Sequence, residues 1–122
     1  MLQTFDSRNK DLKININGEL FHRDDAGISP FDSAVQGGDG VWEGLRLYNG
    51  RIFKLEEHLN RLRHSAQAMA FEQIPSNEEL TAEIAKTLAA NNMHDGVHIR
   101  LTLTRGKKIT SGSKKRRRGR NC

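Results

Sequence analysis

Two Asn-Gly dipeptides, Asn17-Gly18 and Asn49-Gly50, each interrupt a run in which apolar and polar residues alternate. Nothing else in the chain constrains the fold as strongly. The two central positions of a tight hairpin turn need positive φ, which Asn and Gly tolerate, and a period of two gives each flanking strand one apolar face. In "LKININGELFHR" the strand through Leu12, Ile14 and Ile16 therefore reverses at Asn17-Gly18. In "VWEGLRLYNGRIF" a strand through Val41, Leu45 and Leu47 reverses at Asn49-Gly50 and returns through Ile52 and Phe53. Two hairpins commit the first half of the chain to antiparallel sheet. The stretch between them, "DDAGISPFDSAVQGGDG", is rich in Gly, Ser and Asp and reads as an irregular connection.

After Lys54 the period changes. Leu55, Leu59, Leu62, Ala66 and Met69 step by four, three, four and three, which is one face of an α-helix. Glu56 and Glu57 fall in its first turn, where the positive end of the helix dipole favours them. A second helix opens in "IPSNEELTAEIAKTLAANNM" with Ser76 and Glu79 at capping-box spacing. Leu80, Ile84 and Leu88 form its buried stripe, and Asn91-Asn92 mark its end. Alternation then resumes in "VHIRLTLT", with Val97, Ile99, Leu101 and Leu103 on one face and His98, Arg100, Thr102 and Thr104 on the other. This order predicts an α+β domain, an antiparallel sheet packed with two helices.

Charge divides the chain differently. The net charge is +5, yet residues 113–122 alone hold Lys114, Lys115, Arg116, Arg117, Arg118 and Arg120 with no acid. The other 112 residues carry 14 basic and 15 acidic side chains, so the basic character belongs to the tail. The expected division is a domain over 1–112 and a basic tail over 113–122, with no periodicity and a mobile chain from 107 onward. No apolar run approaches the roughly 20 residues of a membrane helix, and "MLQTFDSRNKDLK" lacks the apolar stretch of a secretory leader. The single cysteine, Cys122, forms no internal disulfide, and no Cys/His set has zinc spacing. A cytoplasmic location is the expectation.

Arg61 directly precedes the core residue Leu62 in "KLEEHLNRLRHSA", about 100° around the helix from it. Its local reading is bland: the aliphatic stem covers the edge of the core and the head reaches water. Arg63 is expected to be a solvated charge on another side of the helix, and His58 a boundary residue. His22, His64, His94 and His98 have no partner legible in the sequence. "GGDGVWEGLR" concentrates Gly37, Gly38 and Gly40 before a strand, without the Lys-Ser/Thr and helix that a phosphate loop requires. Glu43 and Arg46, three apart on one strand, point to opposite faces. Arg46 and Arg100 lie on polar strand faces. They either converge to hold a carboxylate or are simply solvated, and local pattern leaves both readings open.

Taken in order, "GGDGVWEGLRLYNGRIFKLEEHLNRLRHSAQAM", the following helix and "VHIRLTLTRG" closely resemble the N-terminal small domain of class IV aminotransferases, from about Ile14 to about Gly112. This pyridoxal-phosphate-dependent family includes branched-chain aminotransferases, D-amino acid transaminases and aminodeoxychorismate lyases. The G-D-G-V-aromatic-E block, the Y-N-G turn and the E-H-x-x-R-L helix carry the resemblance. It implies that Arg61 binds the cofactor phosphate, that Arg46 and Arg100 recognise substrate carboxylates, and that Trp42 is the aromatic beside the substrate pocket. It also implies a branched-chain-type transfer of an amino group between an amino acid and a 2-oxo acid, in a homodimer. Gly37 stands where such enzymes often have tyrosine, which leaves the exact substrate open. The family's Schiff-base lysine lies downstream in a second domain, and Lys107 and Lys108 match no part of its motif. The expectation is therefore a truncated or frameshifted version of a longer enzyme, inactive as this fragment. The alternatives are a nucleic-acid-binding module acting through residues 114–120, or an assembly partner of a full-length relative.

Overall fold

The computed structural model describes residues 6–106. Both Asn-Gly pairs make the turns their chemistry demands: Asn17 and Gly18 have φ of 56° and 86°, Asn49 and Gly50 of 48° and 77°. The first turn joins β1 (Lys13–Ile16) to β2 (Glu19–His22), paired from Lys13↔His22 to Ile16↔Glu19. The second joins β3 (Gly40–Tyr48) to β4 (Arg51–Ile52). Phe53 lies past the end of β4; its N–H still donates to the Arg46 carbonyl at 2.9 Å, while its side chain is exposed. The last strand, β5 (Val97–Thr104), lies antiparallel to β3 from Gly40↔Thr104 to Leu47↔Val97. The class is α+β, as expected, but the strands divide between a two-stranded sheet β1-β2 and a three-stranded sheet β4-β3-β5.

The helices form where the periodicity places them. Helix α2 covers Leu55–Ala68 and α3 covers Asn77–Ala90; a short helix, α1 (Ser33–Gly37), precedes them in the stretch read as irregular. Its start is chemical: the Asp32 carboxylate accepts from the Ala34 N–H, and Gly38, at φ 72°, closes the other end. The capping box of α3 is present in both directions between Ser76 and Glu79. Leu59, Leu62 and Ala66 of α2 meet Val41 and Leu45 of β3, Leu101 and Leu103 of β5, and Leu80 and Ile84 of α3 in one core. Leu45, Leu59, Leu62, Leu80 and Leu103 are fully buried, and each such leucine contributes about 1.5–3 kcal/mol by leaving water.

Two local outcomes depart from simple alternation. In the first hairpin the buried residue is Asn15, while Ile14 and Ile16 are half-buried. The hairpin docks on the polar flank of α3 and not on its apolar stripe. Asn15 Nδ2 donates to Glu83 Oε1 (2.8 Å) and Thr87 Oγ1 (3.1 Å), and Asn91 exchanges two hydrogen bonds with the Lys13 backbone. Arg63, expected to be solvated, instead donates through Nη2 to the Pro75 carbonyl and to Asn77 Oδ1, each at 2.7 Å. It ties α2 to the start of α3 because the chain entering α3 passes that side of α2 and presents two oxygen acceptors there. Among the described residues no helix is long and apolar enough to cross a membrane. The basic tail, and with it the expected boundary at 112, lies outside the described residues.

Candidate cofactor and substrate face

Along β3 the odd-numbered residues from Val41 to Leu47 are buried, while Trp42, Arg46 and Tyr48 are exposed. Val41, Glu43, Leu45 and Leu47 point toward the helices, and Glu43 is a carboxylate in a frame of aliphatic residues. It is 6% exposed, a position that a charged group holds only with partners. Both partners come from α2. His58 Nδ1 lies 2.7 Å from Glu43 Oε1, and Arg61 donates from Nη2 to Oε1 (2.6 Å) and from Nε to Oε2 (2.9 Å). Residues 58 and 61, three apart, share one flank of the helix, so both reach the same carboxylate. The Arg61 hydrogen bonds hold the Glu43 carboxyl below its ordinary range, against the opposing effect of burial and with help from His58. Glu43 in turn raises the Arg61 guanidinium further above its usual value.

Arg61 nevertheless faces water: its side chain is 68% exposed. Side-on pairing with Glu43 uses the Nε–H and one Nη2–H, so of five N–H groups three remain, two on Nη1 and one on Nη2. That outer edge is a fork matched to two oxygens of a phosphate. The i,i+4 carboxylate at Glu57 does not take the arginine; Glu43, distant in sequence, does.

The opposite face of the same sheet carries Trp42, Arg46 and Tyr48 of β3, with Arg100 opposite Gly44, His98 opposite Arg46 and Arg51 opposite Tyr48. No acid stands among these positions. The Arg100 guanidinium lies over the Trp42 ring, 4.3 Å from its centroid, and that of Arg46 over Tyr48 at 5.4 Å. A guanidinium stacked on a ring keeps its in-plane N–H groups for an acceptor. Arg46 and Arg100 hydrogen-bond to no acceptor among the described residues. The structure thus brings Trp42, Arg46 and Arg100 together on one face and leaves Arg61 on the other. Between them runs the edge of β3, where β4 pairs only with Leu47 and Tyr48.

Comparison with known proteins matches residues 40–118 to the family model described as amino-transferase class IV. The chain belongs to the class IV aminotransferases. It is similar to the Arabidopsis thaliana "branched-chain-amino-acid aminotransferase-like protein 1", with 57% identity over 104 residues, 85% of this chain and 19% of the relative. It is also similar to a D-alanine aminotransferase of Listeria monocytogenes, with 41% identity over 95 residues, 78% of this chain and 32% of the relative. Among solved structures, the branched-chain aminotransferase of the thermophilic archaeon Thermoproteus uzoniensis with norvaline superposes with a TM-score of 0.70 at 26% identity. That likeness covers 84% of this chain and 36% of the other. The chain therefore spans only about a fifth to just over a third of the relatives it matches.

Within this class IV aminotransferase fold, Glu43 and His58 join the site without a motif in the sequence that assigns them to it. A signal for Glu43 was present: it stands in register with Val41, Leu45 and Leu47, so a carboxylate at that position enters the core and must be paired. No comparable signal exists for its partners, because they come from an element that only the tertiary fold brings near.

Proposed function

We propose that residues 1–112 form the small domain of a cytoplasmic, homodimeric, pyridoxal-phosphate-dependent aminotransferase of branched-chain type. Its reaction transfers an amino group between an amino acid and a 2-oxo acid. The observation that carries this reading is the acid-free sheet face on which Arg46 and Arg100 stand beside Trp42 without a hydrogen-bond acceptor among the described residues. Two guanidinium groups within one sheet face suit a substrate carboxylate, and the exposed ring suits the apolar side chain of the same molecule.

Arg61 fits the cofactor phosphate, since Glu43 fixes the guanidinium plane and the outer edge bonds to no acceptor among the described residues. Pyridoxal phosphate, when bound, supplies the electron-withdrawing ring that the amino-group chemistry needs. The described residues contribute binding and orientation: Arg61 to the phosphate, Arg46 and Arg100 to carboxylates, Trp42 to the wall of the pocket. The branched-chain assignment is supported by the name of the plant relative and by the exposed aromatic ring of Trp42.

Trp42 is the sole tryptophan, so its fluorescence reports on this face. Addition of 4-methyl-2-oxopentanoate is expected to change that fluorescence as the carboxylate engages Arg100, and Arg100→Ala should abolish the change. An undiminished response in Arg100→Ala would overturn the assignment.

A further inference from the structure

Glu43 cancels the charge of Arg61, so the net charge presented to an anion depends on the third member of the cluster. The neutral His58 tautomer that donates Nδ1–H to Glu43 carries its lone pair on Nε2. Protonation at Nε2 therefore adds a charge without breaking the hydrogen bond to Glu43. The trio then passes from neutral to +1 with its geometry intact. The charged groups in reach of the His58 ring are Glu43 from β3 and Arg61 one turn along α2. No charged side chain of β4, β5 or α3 hydrogen-bonds or ion-pairs with it among the described residues.

We infer that Glu43 is the positioning residue for Arg61, and that His58 sets the charge of the anion site formed by the outer edge of Arg61. A tetrahedral dianion such as a phosphate monoester binds there more tightly when His58 holds a proton. This rests on the reading of Arg61 as the phosphate anchor. Pairing a carboxylate with the anchor gives up long-range attraction but fixes an exposed, rotamer-rich side chain in one plane. His58 returns the lost charge.

Sulfate is the suitable probe, because it remains a dianion over the range in which histidine titrates. The 122-residue protein is titrated with sodium sulfate at constant ionic strength, at about pH 5 and about pH 8. Binding is followed through the backbone and arginine side-chain NMR signals of α2, which separates this site from residues 114–120. Affinity is expected to be roughly three- to tenfold higher at the lower pH, the scale of one extra unit charge at close, partly screened range. His58→Gln should flatten the profile, with His58→Asn as a second variant if the first loses its amide dispersion. In Glu43→Gln the Arg61 Nε–H signal should merge with those of solvated arginines. If it stays distinct, the positioning role of Glu43 is overturned. If Arg61→Ala loses sulfate binding while His58→Gln keeps the wild-type pH profile, the charge-setting role falls and the anchor reading stands. If Arg61→Ala binds sulfate like the wild type at both pH values, the anchor reading falls and takes the inference with it.

Discussion

Arg63→Ala should destabilise the fold measurably, although the residue reads in sequence as a solvated helix charge. Its Nη2 reaches the Pro75 carbonyl and Asn77 Oδ1, both at 2.7 Å, and Asn77 Nδ2 donates onward to Asn60 Oδ1 at 3.0 Å. The network joins the middle of α2 to the first turn of α3. A hydrogen bond to a charged group contributes about 1.5–3 kcal/mol when well shielded. Here the guanidinium is half-buried and water can replace it at both acceptors, which brings the expected total to about 1–2 kcal/mol. For a domain near this size each kcal/mol moves the melting midpoint by about 4–8 °C, so a fall of about 5–15 °C follows. Calorimetric melts of the wild type, Arg63→Ala and Arg63→Lys would measure it, with the lysine variant intermediate. Lys10→Ala, at an exposed position, serves as the solvated-charge control and should stay within about 0.5 kcal/mol. A midpoint for Arg63→Ala within about 2 °C of the wild type would refute the reasoning and leave the helix pair held by its apolar contacts and the Asn77–Asn60 hydrogen bond.

Other outcomes follow from the same structure. Leu62→Ala removes a side chain only 1% exposed at the centre of the α2 stripe, and denaturant unfolding should show a loss of about 2–5 kcal/mol; a loss near zero would mean that α2 does not pack as described. Glu43 has its folded-state pKa held below the ordinary 4.5, chiefly by Arg61. The stability it provides is therefore present above that ordinary value and is lost as pH falls through the lower folded pKa. Glu43→Gln should flatten this acid limb of an unfolding curve, and equal acid slopes in both proteins would contradict the pairing. The 122-residue polypeptide, mixed with pyridoxal phosphate, leucine and 2-oxoglutarate, should form no glutamate above a blank. Turnover would contradict the assignment of binding roles alone to the described residues.

Much of this architecture was legible from local chemistry. The two Asn-Gly turns needed positive φ and adopt it; the Leu59-Leu62-Ala66 stripe and the Ser76–Glu79 capping box depend on residues within one helix and appear as read. What escaped depends on long-range pairing. Glu57 lies at i,i+4 spacing from Arg61, yet Arg61 pairs with the buried carboxylate of Glu43, which offers two aligned oxygens and has a greater need of a counter-charge. Arg63 looked solvated because the path of the chain into α3 cannot be inferred from helix periodicity. Asn15 entered a buried position because the first hairpin meets Glu83 and Thr87, polar residues whose orientation toward β1 no local pattern reports. For the candidate site, alternation alone placed Arg46 and Arg100 on polar faces, and the β3–β5 register brought those faces together.

If Arg61 anchors a cofactor phosphate, a cofactor analogue without the aldehyde reads that role free of any covalent step. Deoxypyridoxine phosphate keeps the ring and phosphate but cannot condense with the lysines of the chain. Its binding to wild-type protein, Arg61→Ala and Lys10→Ala can be compared by calorimetric titration, with the basic tail identical in all three. Arg61→Ala is expected to weaken binding roughly tenfold or more, the scale of a charge-assisted hydrogen bond, while Lys10→Ala stays close to wild type. Equal affinity in all three proteins would contradict it and return Arg61 to a structural partner of Glu43 at the edge of the core.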